Sequence, residues 1–297
     1  MKIAQKIVLA CLIFAVLAPS IMAQQSLKGM TFNGSTGIYT VPTGRIGWER
    51  SSDLGIDFGY HSIIRGRGDS FASSRMNHLA QVSISLFKLV EISTAFDFQP
   101  RYESKWYSDN SYRRNSDMII GAKFQLPIEK VAIAFGSTFQ VLNMGNDYTD
   151  ALGLSFYGAA TYAADFFNMP AETTLTMGYT IGLNRTARGG GTYAGWLSNP
   201  SAEHDIDFGM GWDLTIFPKQ TNKLIHWLID VSNFTYSLDA WGAYSIYRAT
   251  VNTGLRFDLS AIPALKKFKF VIDVCAVDLF DEERSFSFGL TFGVPIL

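Results

Sequence analysis

The sequence predicts an all-β fold, namely a transmembrane antiparallel up-and-down β-barrel of about 12 strands (range 10–14) with an N-terminal lead-in segment. Three observations support this prediction. Large apolar residues occupy every second position in many successive segments, long and short connections alternate between these segments, and the N-terminus has the pattern of a secretory signal. A sheet inside a membrane must pair all of its backbone polar groups, so we expect it to close on itself.

Residues 1–23 have the features of a signal peptide. Lys2 and Lys6 form a positive n-region, Ile7–Ala18 is an apolar h-region, and small residues lead to a cleavage site after Ala23. No later window offers the roughly 18 consecutive apolar residues of a transmembrane helix. We therefore expect an exported chain in the cell outer membrane, with a hairpin-like or plug-like lead-in at residues 24–51 and the barrel at residues 52–297.

The composition argues against a nucleic-acid-binding protein. Charged residues make up 17% of the chain, aromatic residues 14%, and the formal net charge is −1. A chain with this balance and no basic run has no electrostatic footprint for nucleic acid, so we expect no such partner. Cys275 is the single cysteine beyond the predicted signal peptide, and we interpret it as a small residue inside a strand.

The predicted strands each place small or polar residues between large apolar ones, as expected when successive side chains point to opposite faces of a sheet. Strand Asp205–Phe217 shows the clearest alternation, whereas Leu152–Ala163 and Leu224–Phe234 are less regular. In chain order, the strands before the last one are Asp53–Tyr60, Asn77–Leu86, Leu89–Gln99, Asp117–Leu126, Lys130–Val141, Leu152–Ala163, Thr173–Leu183, Asp205–Phe217, Leu224–Phe234, Ile246–Asp258 and Lys267–Val277.

The last strand, Arg284–Leu297, alternates phenylalanine and aliphatic residues with serine, threonine and glycine. We expect it to pair with Lys267–Val277 and, closing the barrel, with Asp53–Tyr60. Pairing should stop near Val294, because Pro295 has no N–H to donate. The stretch resembles the C-terminal insertion signal of outer-membrane barrels, although those usually end in phenylalanine, and this resemblance implies the barrel-insertion machinery as a partner.

The connections between strands support a membrane barrel over a soluble sandwich. Short ones such as 127–129 alternate with long ones such as 184–204. If both termini lie in the periplasm, the long connections fall outside the cell, which is the asymmetry of outer-membrane barrels. The apolar face would then contact outer-membrane lipid. A soluble sandwich, in which the apolar faces meet in a core, stays open as an alternative.

The polar face of the strands is predicted to line the lumen. Its charged residues are Asp57, Glu91, Asp97, Lys123, Asp207, Asp213, Asp230, Arg256, Lys269 and Asp273. A barrel of about 12 strands lies between small barrels filled by side chains and wide open porins. These charges therefore either pair internally and close the barrel, or line a path for small solutes, and the sequence leaves both possibilities open.

A short motif lies ahead of the first strand, within Gly37–Arg45 (GIYTVPTGR). Followed by an alternating glycine-rich strand, it resembles the N-terminal signature of the YjbH-type outer-membrane barrels, a family linked to exopolysaccharide production. The motif residues are Gly37, Pro42, Thr43 and Arg45. Val41 and Gly44 stand where the family usually has threonine and alanine. The resemblance implies a barrel with this lead-in and a polysaccharide partner.

We expect no catalytic site, no metal site and no cofactor. His61, His78 and His204 map to the outer rim, but no nucleophile-elbow motif accompanies them. The leading hypothesis is a non-enzymatic outer-membrane barrel for solute passage or envelope assembly. The alternatives are a structural or accessory barrel for surface exopolysaccharide export, and a lipid-modifying barrel enzyme in which His78 would be the candidate residue.

Overall fold

The computed structural model describes residues 29–48, 53–65, 76–98, 116–126, 128, 131–144, 151–166, 169–184, 203–233, 249–280 and 285–296. The strands in these ranges are β1 (Leu54–Arg65), β2 (Met76–Leu86), β3 (Val90–Phe98), β4 (Ser116–Leu126), β5 (Val131–Met144), β6 (Ala151–Phe166), β7 (Met169–Asn184), β8 (Glu203–Thr215), β9 (Ile225–Ser232), β10 (Thr250–Asp258), β11 (Lys269–Val277) and β12 (Ser285–Pro295). A short 3₁₀ helix, Leu259–Ala261, follows β10.

The strands form one closed antiparallel barrel, which confirms the predicted fold class. Each strand pairs with its neighbours in the chain, and β12 pairs with β1 to close the sheet. On the β11 side the pairing of β12 ends at Gly293, opposite Lys269. On the β1 side it continues to Pro295, one residue beyond the expected end. Pro295 is tolerated there because its nitrogen faces the β11 side, where pairing has already ended, while the next residue, Ile296, still donates its N–H to the Leu54 carbonyl at 2.8 Å.

The outer face of the barrel is apolar. In β12, Phe286, Phe288 and Phe292 are 51%, 48% and 39% exposed, whereas Ser287 and Thr291 between them are each 1% exposed. A soluble sandwich would bury such rings against a core, and this barrel turns them outward. A closed barrel with an apolar outer surface matches the requirements of a membrane-spanning sheet of the outer-membrane type. No helix among the described residues is long and apolar enough to cross a membrane.

The connections differ between the two ends of the barrel. At one end, here named the turn end, the strand bounds leave connections of 2 to 10 residues, the β6–β7 turn being the shortest. At the other, the loop end, they leave 6 to 18 residues, with the β7–β8 connection the longest. Both β1 and β12 have their free ends at the turn end. The predicted sorting of short and long connections is therefore present, although the two ranges overlap.

Residues Gly29–Trp48, here named the lumen segment, lie inside the barrel. Phe32, Tyr39 and Val41 are each 0% exposed. The segment folds back on itself through the bridges Met30↔Thr36 and Gly37↔Pro42. It packs with inward-facing wall residues in one apolar cluster, whose members are Phe32, Ile38, Tyr39, Ile63, Leu79, Ala95, Ile119, Leu228, Cys275 and Val277.

Candidate functional site

The lumen segment is folded back on itself by internal hydrogen bonds. The Phe32 N–H donates to the Tyr39 carbonyl at 2.8 Å, and the Ile38 N–H donates to the Val41 carbonyl at 3.1 Å. Gly37 is needed at the crossing of the two arms, since a Cβ there would lie 2.5 Å from the Val41 carbonyl oxygen. The segment is therefore a compact double turn and not an extended linker.

One wall carboxylate holds the turn at the tip of the segment. Oδ2 of Asp230, on β9, accepts the backbone N–H groups of Tyr39 at 3.0 Å, Thr40 at 2.7 Å and Val41 at 3.3 Å. The Thr40 hydroxyl also contacts this oxygen, at 3.1 Å. The other oxygen, Oδ1, accepts the side-chain amide of Asn252 on β10 at 2.6 Å. Hydrogen bonds to a carboxylate are among the stronger ones in proteins, so this contact positions the turn.

A second carboxylate binds the segment from the opposite side of the barrel. Glu91, on β3, accepts the Thr36 N–H at 2.8 Å and the Gly47 N–H at 3.1 Å, and it also accepts the Thr36 hydroxyl. Lys123, directly opposite Glu91 on β4, lies 3.1 Å from it and donates to the Thr36 carbonyl at 2.9 Å. The Glu91–Lys123 ion pair therefore belongs to the wall, and the segment hydrogen-bonds to both of its members.

Arg256 repeats this arrangement on β10. Its Nε and Nη2 donate to the two oxygens of Asp273, directly opposite on β11, at 2.7 and 3.1 Å. Its Nη1 and Nη2 also donate to the carbonyls of Gly37 and Ile38, at 3.2 and 3.4 Å. The planar guanidinium has enough donors to satisfy the carboxylate and the segment together.

The segment leaves the lumen at the turn end through Trp48. Its indole N–H donates to Asp57 on β1 at 2.9 Å, and its ring lies 5.2 Å from Nζ of Lys269. Lys269, on β11, is 2.5 Å from Asp57 although β12 lies between them. The intervening residue is Gly293, and the absence of a side chain there lets the ion pair reach across one strand.

The motif residues all contact the wall or the segment itself. Gly37 permits the crossing described above, and the Pro42 carbonyl accepts the Thr176 hydroxyl at 2.9 Å. Thr43 donates its N–H to the Thr36 carbonyl at 3.2 Å. Arg45 lies 2.9 Å from Glu172 on β7, and both side chains are largely buried. The motif is thus used to fold the segment and attach it to the barrel.

The ten charged residues predicted for the lumen are all buried on the inner face of the barrel. Seven are placed by the ion pairs and segment contacts above. An eighth, Asp213, pairs with His226, and their Oδ1 and Nδ1 lie 2.7 Å apart. The other two lie toward the loop end: Asp97 accepts the Asn77 amide at 3.3 Å, and Asp207 accepts the Thr180 hydroxyl. That they line a path for solutes stays a prediction.

Uncharged wall residues that bind the segment were not singled out from the sequence. Gln125 accepts the Ile46 N–H at 2.9 Å, and Thr161 accepts the Gly44 N–H at 2.8 Å. Gln81 donates to the carbonyls of Thr31 and Phe32 at 2.7 and 3.0 Å. Their inward position follows from strand alternation, but nothing local distinguishes them from other polar residues of that face.

His61 and His78, two of the histidines mapped to the outer rim, lie on opposite faces of the wall. His61 faces inward, fully buried, with its ring 5.2 Å from that of Phe32. His78 faces outward, where its Nδ1 lies 2.5 Å from the Tyr60 hydroxyl and its ring stacks on Phe98. Side chains on opposite faces of a sheet cannot share a ligand, so these two histidines form no common site. In the described part of the chain, no group of three or more His, Cys, Asp or Glu is arranged for a metal ion.

Comparisons with known proteins find barrels at low similarity. No family model and no curated relative matches the sequence. Among solved structures, the KdgM porin is 8% identical with a TM-score of 0.43, over 80% of this chain and 98% of the porin. The translocator domain of the autotransporter NalP from Neisseria meningitidis is 8% identical, TM-score 0.44, over 83% and 90% of the two chains. The outer membrane protein Omp33 of Acinetobacter baumannii is 9% identical, TM-score 0.38, over 83% and 100%. Similarity at this level does not indicate a ligand.

Proposed function

We propose that this chain is a non-enzymatic outer-membrane barrel that is closed at rest by its own lumen segment and passes small solutes when that segment moves. The observation that supports the proposal is the position of Gly29–Trp48, which contacts inward-facing residues of β3, β7 and β9 around the barrel. With this segment in place, the wall residues that it contacts are buried.

The wall charges support a movable segment. Lys123, Lys269 and Arg256 each form an ion pair with a carboxylate of the wall itself. Removal of one member of a buried ion pair leaves a costly isolated charge, and withdrawal of the segment breaks none of these three pairs. The segment contributes mainly backbone N–H and C=O groups, which water can satisfy once the lumen is hydrated. Its withdrawal does break one ion pair, Arg45–Glu172, whose two charges are then hydrated in the same way. The barrel wall can therefore persist without the segment.

A disulfide between the segment and the wall tests this function. The hydroxyl oxygens of Thr40 and Ser232 are 2.8 Å apart, so cysteines at these positions are close enough to bond. The variant T40C/S232C, built with Cys275→Ser to remove the native thiol, is reconstituted in planar bilayers. We expect intermittent conductance after reduction, none after oxidation, and recovery when reductant is added.

The single variants T40C and S232C, in the same background, control for the substitutions and for oxidation. Both should conduct equally with and without oxidant. Conductance that persists in the oxidised double variant would show that the path does not run through the segment. Silence of every variant under voltage would instead favour a permanently closed structural barrel.

The second candidate function is that of a permanently closed structural barrel. It would be an accessory barrel for surface exopolysaccharide export, as the resemblance to the YjbH-type family implies. It draws support from the closed lumen and from the use of Gly37, Pro42 and Arg45 in closing it. Deletion of residues 30–47 should then change surface polysaccharide without changing the uptake of small solutes. Increased uptake with unchanged polysaccharide would favour the gated path.

We further propose how the barrel is placed in the envelope. The turn end, which carries both free strand ends, faces the periplasm, and the signal peptide is cleaved near Ala23. The exposed phenylalanines of β12 contact lipid, and the barrel-insertion machinery recognises the segment Arg284–Leu297. Truncation before Arg284 should leave the exported chain in the periplasm, and its normal insertion would contradict the role of this strand.

A further inference from the structure

We propose that Asp230, Ser232 and Asn252 form a solute-binding site of the open barrel, for a small primary ammonium group, and that the turn Tyr39–Val41 occupies this site at rest as an internal ligand. The proposal rests on the gated function above and identifies the class of solute that the gate responds to. Each of the three wall residues is 0% exposed in the closed barrel.

The wall half of this site has hydrogen bonds of its own, besides the one that the Asn252 amide donates to the Thr40 hydroxyl at 3.3 Å. Asn252 accepts the backbone N–H of Asp278 at 3.0 Å through its side-chain oxygen, which fixes the orientation of its amide. The amide nitrogen then donates to Oδ1 of Asp230 at 2.6 Å. Oδ1 is thereby held by the wall, while Oδ2 receives its donors from the segment. If the segment withdraws, a positioned carboxylate oxygen faces the lumen.

The donors now in place indicate the chemistry of a replacement. Three backbone N–H groups and one hydroxyl converge on Oδ2, and the Thr40 hydroxyl also contacts that of Ser232 at 2.8 Å. A primary ammonium group offers three N–H donors on a single atom together with a positive charge. It can therefore satisfy Oδ2 and the Ser232 hydroxyl while neutralising the carboxylate.

Neighbouring wall cations are already engaged and do not supply that charge. Arg256 is bonded to Asp273, and Lys269 is bonded to Asp57. Among the described residues, no basic side chain forms an ion pair with Asp230. In the closed barrel its charge is stabilised by N–H dipoles, and in the open barrel an external cation with N–H donors takes their place.

Such binding couples the solute to opening. A ligand that binds only the open barrel shifts the equilibrium toward it, in proportion to its concentration over its dissociation constant. A cation of equal charge that lacks N–H donors gains less from this site. Ethylammonium and tetramethylammonium therefore form a matched pair of probes.

The test measures the fraction of time that the full-length barrel conducts in a planar bilayer, with one probe replacing part of the potassium at constant ionic strength. We expect ethylammonium to raise this fraction several-fold over tetramethylammonium. The difference should be lost in Asp230→Asn and kept in Asp207→Asn, which removes a lumen carboxylate that contacts Thr180 instead. Asp230→Glu, which retains the charge but displaces the acceptor oxygen, should reduce the difference.

Equal effects of the two cations, or a full ethylammonium response in Asp230→Asn, would overturn the site. The oxidised T40C/S232C barrel distinguishes this failure from that of the gate. If the oxidised variant does not conduct and ethylammonium has no specific effect on the protein without the disulfide, the ammonium site is wrong and the gated path is still supported. If the oxidised variant conducts, both proposals fail together.

Discussion

The substitution Gly293→Ala should break the contact that attaches the lumen segment to the turn end of the barrel, because it adds a methyl group there. A Cβ at this position would lie 2.0 Å from Oδ1 of Asp57, whereas real Cβ atoms essentially never approach another atom within 3.0 Å. In Gly293→Ala the carboxylate oxygen must therefore move by about 1 Å or more. Oδ1 is the atom that accepts the Trp48 indole N–H at 2.9 Å, so this hydrogen bond breaks first.

The cost follows from the groups involved. Loss of a hydrogen bond to a charged acceptor costs about 1.5–3 kcal/mol. Replacement of a glycine in extended backbone recovers about 0.4–1 kcal/mol by restricting the unfolded chain. We expect a net loss of about 0.5–2.5 kcal/mol in the free energy of unfolding, rising to about 3–5 kcal/mol if the Asp57–Lys269 pair also separates.

Urea unfolding in lipid vesicles, followed by tryptophan fluorescence and by the mobility of unheated protein on gels, measures this loss. Gly153→Ala is the matched control, because its new Cβ would meet Gln140 at 3.5 Å, an ordinary contact. The control should be neutral or slightly stabilised. A double-mutant cycle with Asp57→Ala sharpens the test. Gly293→Ala should cost less once the clashing carboxylate is gone, although the tight contacts of its Cβ with Trp48 at 3.0 Å and Lys269 at 3.1 Å remain. Equal losses with and without Asp57, or equal stability of the two alanine variants, would refute the reasoning.

Three further predictions follow from other contacts. Glu91→Gln leaves Lys123 buried beside a neutral side chain and should lower the free energy of unfolding in urea by about 3–5 kcal/mol. The double variant Glu91→Gln/Lys123→Met should recover part of this loss. Absence of any recovery would contradict the pairing. Phe288→Arg places a charge on the lipid-facing surface and should lower the free energy of unfolding in vesicles by about 2–4 kcal/mol. Phe280→Arg, beyond the end of β11, is the control and should leave stability unchanged. Equal losses in the two variants would contradict the membrane-facing assignment. Protease added to intact cells should cut between Asn184 and His204, and cleavage that requires lysis would reverse the proposed orientation.

Strand positions were predictable because alternation is a local property of the chain. The predicted strand Asp205–Phe217 corresponds to β8, Glu203–Thr215, and the predicted strand Asn77–Leu86 corresponds to β2, Met76–Leu86. The largest shift is in β1, which continues from Tyr60 to Arg65. Its neighbours determine this extension, since β1 is paired with β12 as far as Arg65 and with β2 as far as Ile64.

The inward position of the charged residues was predictable for the same reason, but their partners were not. Glu91 and Lys123 are opposite one another only in the register that β3 and β4 adopt. The pair Asp57–Lys269 requires both barrel closure and a glycine on the strand between them. His61 faces inward like Asp57, as strand alternation requires, but its contact with Phe32 depends on the lumen segment that lies inside the barrel.

The sequence by itself determined the closed all-β architecture, the strands and the inner and outer faces, since a period of two residues is visible wherever a strand separates an apolar from a polar environment. Only the tertiary structure decided what fills the barrel. The contact between Tyr39 and Asp230 joins residues 191 positions apart, and nothing in the sequence around either residue indicates that the other is its partner. Closure of the sheet brings β9 and the lumen segment together, and that long-range packing places a short glycine-rich motif ahead of the first strand inside the barrel.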